Sequence, residues 1–166
     1  LYQERSGAIW ISTLTGLVRG HNGSWTSFGH REGWTGEFIR HFAEAADGSM
    51  FLSTFVHRIF HFQKGRFTEL PPLPGRPNPT QLYADRSGRI LAVNRDYFGI
   101  WTGAGWQSEA LPPEIGQGEL PAWGLARDGR LWCIHGGRMM KLEGSKVVSS
   151  VRLSDDVRTV WRLLED

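Results

Sequence analysis

Six histidines are the residues of this 166-residue sequence that most directly suggest metal or acid–base chemistry. His57 and His61 are four residues apart, and on a β-strand this spacing places them on one face about 13 Å apart, too far to share a metal ion. His41 and His135 fall on predicted strands, where a solvated or hydrogen-bonded imidazole is the simpler interpretation. A divalent ion held by either histidine stays open as an alternative. We therefore predict no metal site and no cofactor.

Aromatic and polar residues in or near the longer connections are better candidates for a binding site. An aromatic ring beside amide and guanidinium donors suits a sugar or another polar small molecule. Trp34 lies beside Arg31 in a connection that we expect to be exposed, without a partner in the core pattern. The alternative is that the tryptophans only pack between elements. The candidate ligand-binding residues are Arg31, Trp34, His41, Arg76, Asn78, Arg95, Tyr97, Trp123, His135 and Trp161.

Other kinds of chemistry find no support in the sequence. No glycine-rich phosphate loop, nucleophile elbow or convincing pair of carboxylates is present. Cys133 is the single cysteine, so no internal disulfide is possible, and the apolar residues at the same position of the other repeats predict a buried apolar role for it. The 19 basic and 17 acidic residues are evenly scattered, which argues against a nucleic-acid partner. No apolar run approaches the roughly 18 residues of a membrane helix, so we expect no direct membrane contact.

A repeated segment organises the residues around these candidates. Its turn glycines sit 41, 40 and 41 residues apart, and two, three and four places after each glycine the residues are apolar. A fixed period of this size is typical of repeat architectures. The four copies of the apolar triplet are Ile9–Ile11, Met50–Leu52, Ile90–Ala92 and Leu131–Cys133.

Each repeat predicts four short antiparallel strands. The turn glycine supplies the positive φ of a tight hairpin, and a second glycine turn recurs in each copy, for example at Asn22-Gly23. Three consecutive apolar residues on the second strand predict that both of its faces are covered. Four antiparallel strands per unit of about 40 residues indicate a β-propeller blade. Helix-pair repeats have similar periods, but no stretch shows helical spacing of apolar residues over three turns.

The predicted organisation is all-β: a propeller segment of four blades, with the first strand of a fifth, forming part of a larger propeller. The blade units span about 1–36, 37–78, 79–121 and 122–156, and 157–166 begins the next blade. A lone strand exposes unpaired backbone groups. We therefore expect residues 157–164 to pair with the remaining blades or with a second chain.

The repeats resemble the two-component regulator propeller family. The first copy carries the motif best, as Glu4-Arg5-Ser6-Gly7-Ala8-Ile9-Trp10-Ile11-Ser12-Thr13, Gly16-Leu17-Val18-Arg19 and Asn22-Gly23-Ser24-Trp25, and the later copies diverge from it. The resemblance implies a non-enzymatic sensor on the periplasmic or extracellular side of a bacterial inner membrane, joined to a histidine kinase. The motif residues are structural and name no ligand site.

These observations predict a module that binds a small molecule, such as a saccharide, and signals to a downstream kinase. Two alternatives stay open: a protein-interaction or dimerisation scaffold without a small-molecule site, and a propeller lyase.

Overall fold

The computed structural model describes residues 1–13, 16–75, 80–115 and 120–154. These residues form four antiparallel sheets of four strands, and the strands of each sheet are neighbours in chain order. Within the described residues, no helix is both long enough and apolar enough to cross a membrane. The all-β fold and the four blade-like sheets predicted from the repeats are confirmed.

The strands follow the repeats closely. Sheet one contains β1 (Tyr2–Gln3), β2 (Ile9–Thr13), β3 (Gly16–His21) and β4 (Ser24–Phe28). Sheet two contains β5 (Ile39–Glu44), β6 (Met50–Thr54), β7 (Ile59–Gln63) and β8 (Arg66–Leu70). Sheet three contains β9 (Gln81–Ala84), β10 (Ile90–Val93), β11 (Tyr97–Trp101) and β12 (Trp106–Ala110). Sheet four contains β13 (Ala122–Leu125), β14 (Leu131–His135), β15 (Arg138–Glu143) and β16 (Lys146–Arg152).

The chain forms two compact units. The first unit holds residues Leu1–Pro72 and Pro79–Ile90, and the second holds Leu73–Asn78 and Leu91–Asp166. The candidate residues are therefore divided between two bodies.

The hairpin between the first and second strands has the same geometry in all four sheets. Its glycines, Gly7, Gly48, Gly88 and Gly129, have φ values of 84°, 80°, 77° and 84°. Each glycine N–H donates to the carbonyl three residues earlier, at distances from 2.8 to 3.0 Å. A residue with a Cβ is strained at such φ values, so the glycine period reflects a recurring backbone conformation.

Adjacent sheets in the first unit pack front to back. We define the front face of a sheet as the side that carries the third residue after the turn glycine, such as Trp10, and the back face as the other side. Trp10 and Leu17 on the front of sheet one lie in one buried cluster with Met50, Leu52 and other residues on the back of sheet two. Aromatic rings dominate this layer, since Trp10 lies 5.0 Å from Phe62 between ring centroids.

The expectation that both faces of every second strand are covered holds only in part. The apolar triplets of sheets two and three are buried throughout. In sheet one, however, Ile9 and Ile11 are half-buried, and in sheet four Trp132 is half-buried. The physical reason is that the described residues cover the back of sheet one and the front of sheet four less completely than they cover the faces of sheets two and three.

A buried carboxylate fixes the central tryptophan of sheet one. Glu4 accepts hydrogen bonds from Trp10 Nε1 at 2.6 Å, from the Arg19 guanidinium at 2.6 and 2.7 Å, and from Ser6 Oγ at 2.7 Å. The bonds from Arg19 first, and then those from Ser6 and Trp10, lower the pKa of Glu4 from 4.5 to about 2, although burial opposes them. The charged form of Glu4 therefore stabilises the fold.

Replacing Glu4 by Gln should lower the free energy of unfolding at neutral pH by about 3 kcal/mol, because the variant leaves Arg19 without its carboxylate. Since the pKa of Glu4 is lower in the folded protein than in the unfolded chain, its stabilisation is present above about pH 4.5 and is lost as the pH falls toward 2. Urea unfolding of both proteins from pH 7 to pH 2 should show their difference shrinking over that window. Glu114→Gln, at an exposed turn position, serves as the control. A difference that stays constant with pH would contradict this account.

Candidate ligand-binding surface

The turn between β6 and β7 presents two large apolar side chains to solvent. Thr54 N–H donates to Arg58 O at 2.9 Å and His57 N–H donates to Thr54 O at 3.2 Å, which closes the turn. His57 takes the glycine-like conformation at a φ of 70°. This strain costs on the order of 1 kcal/mol. The turn holds Phe55 and Val56 at its corners, and 51% and 56% of their surfaces are exposed.

Phe38 and Arg40, from the start of sheet two, complete this surface. The Phe38 ring lies 5.3 Å from the Phe55 ring between centroids, and the Phe55 N–H donates to Phe38 O at 3.1 Å. The guanidinium carbon of Arg40 lies 5.3 Å from the centroid of the Phe55 ring. We call Phe38, Arg40, Phe55 and Val56 the aromatic platform. It combines exposed ring surface with five guanidinium N–H donors.

Arg40 supplies the positive charge of the platform. Burial lowers the pKa of Arg40. The arginine side chain nevertheless stays protonated and positively charged at neutral pH. Within the part of the chain that the structure describes, no carboxylate forms an ion pair with Arg40. Its guanidinium lies over the Phe55 ring.

The neighbouring arginine is engaged differently. Arg58 forms ion pairs with Glu37 and Glu69, and its guanidinium carbon lies 5.0 Å from the centroid of the Phe60 ring. The hydrogen bond with Glu69 is the largest cause that raises the pKa of Arg58, and the same bond lowers the pKa of Glu69. Arg58 is thus neutralised by its own sheet, which leaves Arg40 as the cation of the platform.

Trp34 does not lie where the sequence predicted, and the expectation of an exposed ring is wrong. Only 1% of its surface is exposed, and its ring lies 5.0 Å from Phe60 and 5.2 Å from Phe67 between centroids. A short 3-10 helix, His30–Glu32, precedes Trp34 and ends at Gly33, whose φ is 87°. This turn directs Trp34 into the core, because the backbone of Phe67 lies against Gly33 and leaves no room for a Cβ.

The other two candidates of the first unit are not buried. Arg31 lies on the 3-10 helix and is exposed, whereas Trp34 is buried. His41 is half-buried on β5, directly after Arg40, and its ring centroid lies 6.4 Å from that of Tyr83. His41 is the predicted residue nearest in sequence to the platform.

In the second unit, a small hydrogen-bonded turn positions Arg95 and Tyr97. Asn94 Oδ1 accepts hydrogen bonds from the Asp96 and Tyr97 N–H groups at 2.9 and 2.7 Å, and Asn94 Nδ2 donates to Pro74 O at 3.2 Å. Arg95 and Tyr97 are half-buried. Asn94 is a structural residue of this turn that sequence reasoning did not single out.

The remaining candidates are spread along sheet four or lie outside the described residues. Trp123 is 5% exposed and pairs with Cys133 across β13 and β14, a position that suits packing between elements. His135 is half-buried at the end of β14, opposite Arg138. Arg76, Asn78, Trp161 and the strand expected at 157–164 lie outside the described residues.

Cys133 is fully buried as expected, and burial raises the pKa of its thiol to about 12. In the ranges that the structure describes, no three His, Cys, Asp or Glu side chains lie close enough together to hold a metal ion.

Sequence reasoning missed all four residues of the aromatic platform. One signal was available, because Phe55-Val56 places two large apolar residues in a turn where the other copies have Leu14-Thr15, Arg95-Asp96 and Gly136-Gly137. The approach of Phe38 and Arg40 to that turn depends on the pairing of β5 with β6, which no short sequence window contains.

Comparison with solved structures identifies the fold. No family model matches the chain, and no curated protein matches it in sequence. It is similar to a streptogramin B lyase (TM-score 0.74, 16% identity, 95% of this chain and 55% of that one). It is also similar to the extracellular domain of a putative hybrid two-component system from B. thetaiotaomicron (TM-score 0.69, 14% identity, 96% of this chain and 23% of that one). A third similar structure is YCF48 bound to D1 peptide (TM-score 0.59, 20% identity, 87% of this chain and 50% of that one).

These likenesses establish the fold and not the activity. The neighbours are propeller proteins, so the predicted β-propeller segment is confirmed. They include extracellular domains of two-component systems, in agreement with the family that the repeats resemble. The chain spans about half the length of the lyase and about a quarter of the two-component domain.

Replacing Trp34 by Ala should lower the free energy of unfolding by about 3 to 5 kcal/mol, as expected for the loss of a fully buried aromatic residue. Trp34→Phe should cost much less, because no described group accepts a hydrogen bond from Trp34 Nε1 and the ring is retained. Urea unfolding monitored by circular dichroism measures both values. A Trp34→Ala variant as stable as the parent protein would show that the indole is not a core residue.

Proposed function

We propose that this chain is a ligand-sensing propeller segment of a bacterial two-component regulator, and that it binds a saccharide on the aromatic platform. The observation that carries the proposal is the exposed Phe38–Phe55 pair with the Arg40 guanidinium beside it. The resemblance of the repeats and the fold shared with extracellular two-component domains support the sensing role. On the same grounds we place the segment on the periplasmic or extracellular side of the membrane.

The chemistry of the platform suits a ligand with one apolar and one polar face. A sugar ring can lay its C–H groups against Phe55 and Phe38, which removes exposed aromatic surface from water. Its hydroxyl or carboxylate oxygens can accept hydrogen bonds from Arg40. Since no described carboxylate neutralises this guanidinium, an acidic sugar would gain a charge-assisted hydrogen bond in addition.

The scaffold beneath the platform favours binding without rearrangement. Phe55 and Phe38 are joined by a backbone hydrogen bond, and Thr54 Oγ1 accepts a hydrogen bond from Arg58 N–H at 3.2 Å within the same turn. Residues held by backbone bonds lose less conformational freedom when a ligand orders them. The binding roles expected from the sequence for His41, Arg31, Arg95, Tyr97, Trp123 and His135 stay predictions, and the proposed platform does not include these residues.

The two alternatives predict different outcomes. A protein-interaction scaffold would use the same exposed rings against a partner and would bind no free glycan. A propeller lyase has the fold likeness behind it, but no feature of the described residues favours that activity. We propose that this segment itself has no enzymatic activity.

Saccharide binding at the platform predicts that Phe55→Ala weakens binding about fivefold or more, since a stacked aromatic contact contributes on the order of 1 kcal/mol or more. Neutral and uronate-containing oligosaccharides would first be screened on a glycan array, and the best binder titrated by calorimetry. The matched control is Val148→Ala, which truncates an exposed apolar residue on β16. Both variants should unfold like the parent protein.

The saccharide proposal fails if no glycan binds the parent protein or if Phe55→Ala binds as tightly as the parent. If the parent protein prefers uronate-containing glycans, Arg40→Gln should bind them more weakly and lose that preference.

A further inference from the structure

The aromatic platform is assembled from two chain segments that are distant in sequence. Phe38 and Arg40 belong to the segment that enters sheet two, whereas Phe55 and Val56 lie in the turn between β6 and β7. Both segments belong to the first compact unit. The distance between the rings of Phe38 and Phe55 is therefore set by the contacts that join these two segments.

The strand ladder between the two segments is irregular. β5 pairs regularly with β6 along most of its length, but the register shifts between Ile39 and His41. Arg40 is the extra residue of this β-bulge, and a bulge locally disrupts the ladder while it redirects a side chain. Beyond the bulge, Phe55 N–H donates to Phe38 O at 3.1 Å. Because the backbone pairing is irregular at the platform, side-chain contacts between the two segments gain importance there.

Arg58, at the end of the β6–β7 turn, joins the two segments through its side chain. Its Nη1 donates to Thr35 Oγ1 at 3.0 Å and forms an ion pair with Glu37, and its Nε donates to Glu69 Oε1 at 2.8 Å. Thr35 Oγ1 in turn donates to Glu37. Thr35 and Glu37 come just before Phe38, so the guanidinium binds the stretch that carries one ring of the platform. We call Arg58, Thr35, Glu37 and Glu69 the arginine bridge.

The guanidinium of the arginine bridge is anchored on the core. Its carbon lies 5.0 Å from the centroid of the Phe60 ring, which is buried. The Phe60 ring lies 5.0 Å from that of Trp34, the residue directly before Thr35. Arg58 N–H also donates to Thr54 Oγ1 at 3.2 Å, which fixes the backbone of the turn. A planar guanidinium that is held by two carboxylates and a ring keeps one orientation, unlike a lone surface ion pair.

We propose that Arg58 is a positioning residue for the aromatic platform. Its guanidinium holds the stretch 35–38 against the β6–β7 turn, which keeps the Phe38 ring beside the Phe55 ring. This role rests on the proposed function, because positioning matters only if the platform binds a ligand. A surface that is already ordered loses less conformational freedom on binding. Arg58 does not contact the ligand itself, since its charge is balanced by Glu37 and Glu69.

The two carboxylates of the arginine bridge provide matched variants. Glu37→Gln and Glu69→Gln each remove one negative charge from Arg58, but only Glu37 belongs to the stretch that carries Phe38. Hydrogen exchange of the Phe55 amide, measured by NMR on the ligand-free protein, reports how often this stretch separates from the turn. We expect Arg58→Gln and Glu37→Gln to accelerate this exchange about fivefold, as for an ion pair at the upper end of the range for surface pairs. Glu69→Gln should accelerate it much less.

Unchanged exchange in Arg58→Gln overturns the positioning role. Equal acceleration by Glu37→Gln and Glu69→Gln also overturns it, because a general loss of stability in sheet two would then explain the result.

A second measurement uses the neutral or uronate-containing oligosaccharide that binds the parent protein best. Arg58→Gln and Glu37→Gln should each weaken its binding about fivefold, and Glu69→Gln much less. An Arg58→Gln variant that binds as tightly as the parent protein overturns the positioning role. If no glycan binds the parent protein, the proposed function fails, whereas the ligand-free exchange still decides whether Arg58 holds the platform together.

Discussion

Front-to-back packing of sheets through large aromatic side chains is the interaction on which the other features of this protein depend. A small antiparallel sheet with apolar residues on its faces is stabilised by burying those faces against a neighbouring sheet. Trp10 is central in the first unit because it contacts Phe62, Phe67 and Phe28. Its indole N–H would be costly to bury unpaired, and Glu4 accepts it at 2.6 Å. The same carboxylate binds Arg19, so one ionised group holds together the turn, the tryptophan and the third strand.

The proposed binding surface follows from this packing. The apolar faces of the sheets are buried against neighbouring sheets. Groups available to a ligand are therefore expected where strands end and turns begin. The β6–β7 turn and the start of β5 provide such groups, and the backbone hydrogen bond between Phe55 and Phe38 links the two segments. Arg58 is held by Glu37 and Glu69, while Arg40 lies against the Phe55 ring. A rigid sheet that presents rings and one guanidinium at its edge is suited to sensing, because binding requires little reordering of the protein.

Local turn chemistry made the fold predictable, and long-range packing made the site difficult to predict. The glycines at 7, 48, 88 and 129 define hairpins by their own backbone requirement, so the strands and the repeat could be derived from the sequence. The burial of Cys133 followed from its place in the repeat. Trp34 was misjudged because the residues that bury it, Phe60 and Phe67, lie 26 and 33 positions away in the chain. The aromatic platform escaped notice for the same reason, since Phe38 meets Phe55 only after two strands pair.

A double-mutant cycle between Trp10 and Phe62 tests the front-to-back packing most directly. Phe62→Leu and Trp10→Leu, singly and together, would be compared with the parent protein by urea unfolding. The edge-on contact at 5.0 Å predicts a coupling free energy of about 0.5 to 1.5 kcal/mol beyond the sum of the single changes. Strictly additive effects of the two substitutions would contradict the account, because they would show that sheets one and two do not depend on each other through this aromatic layer.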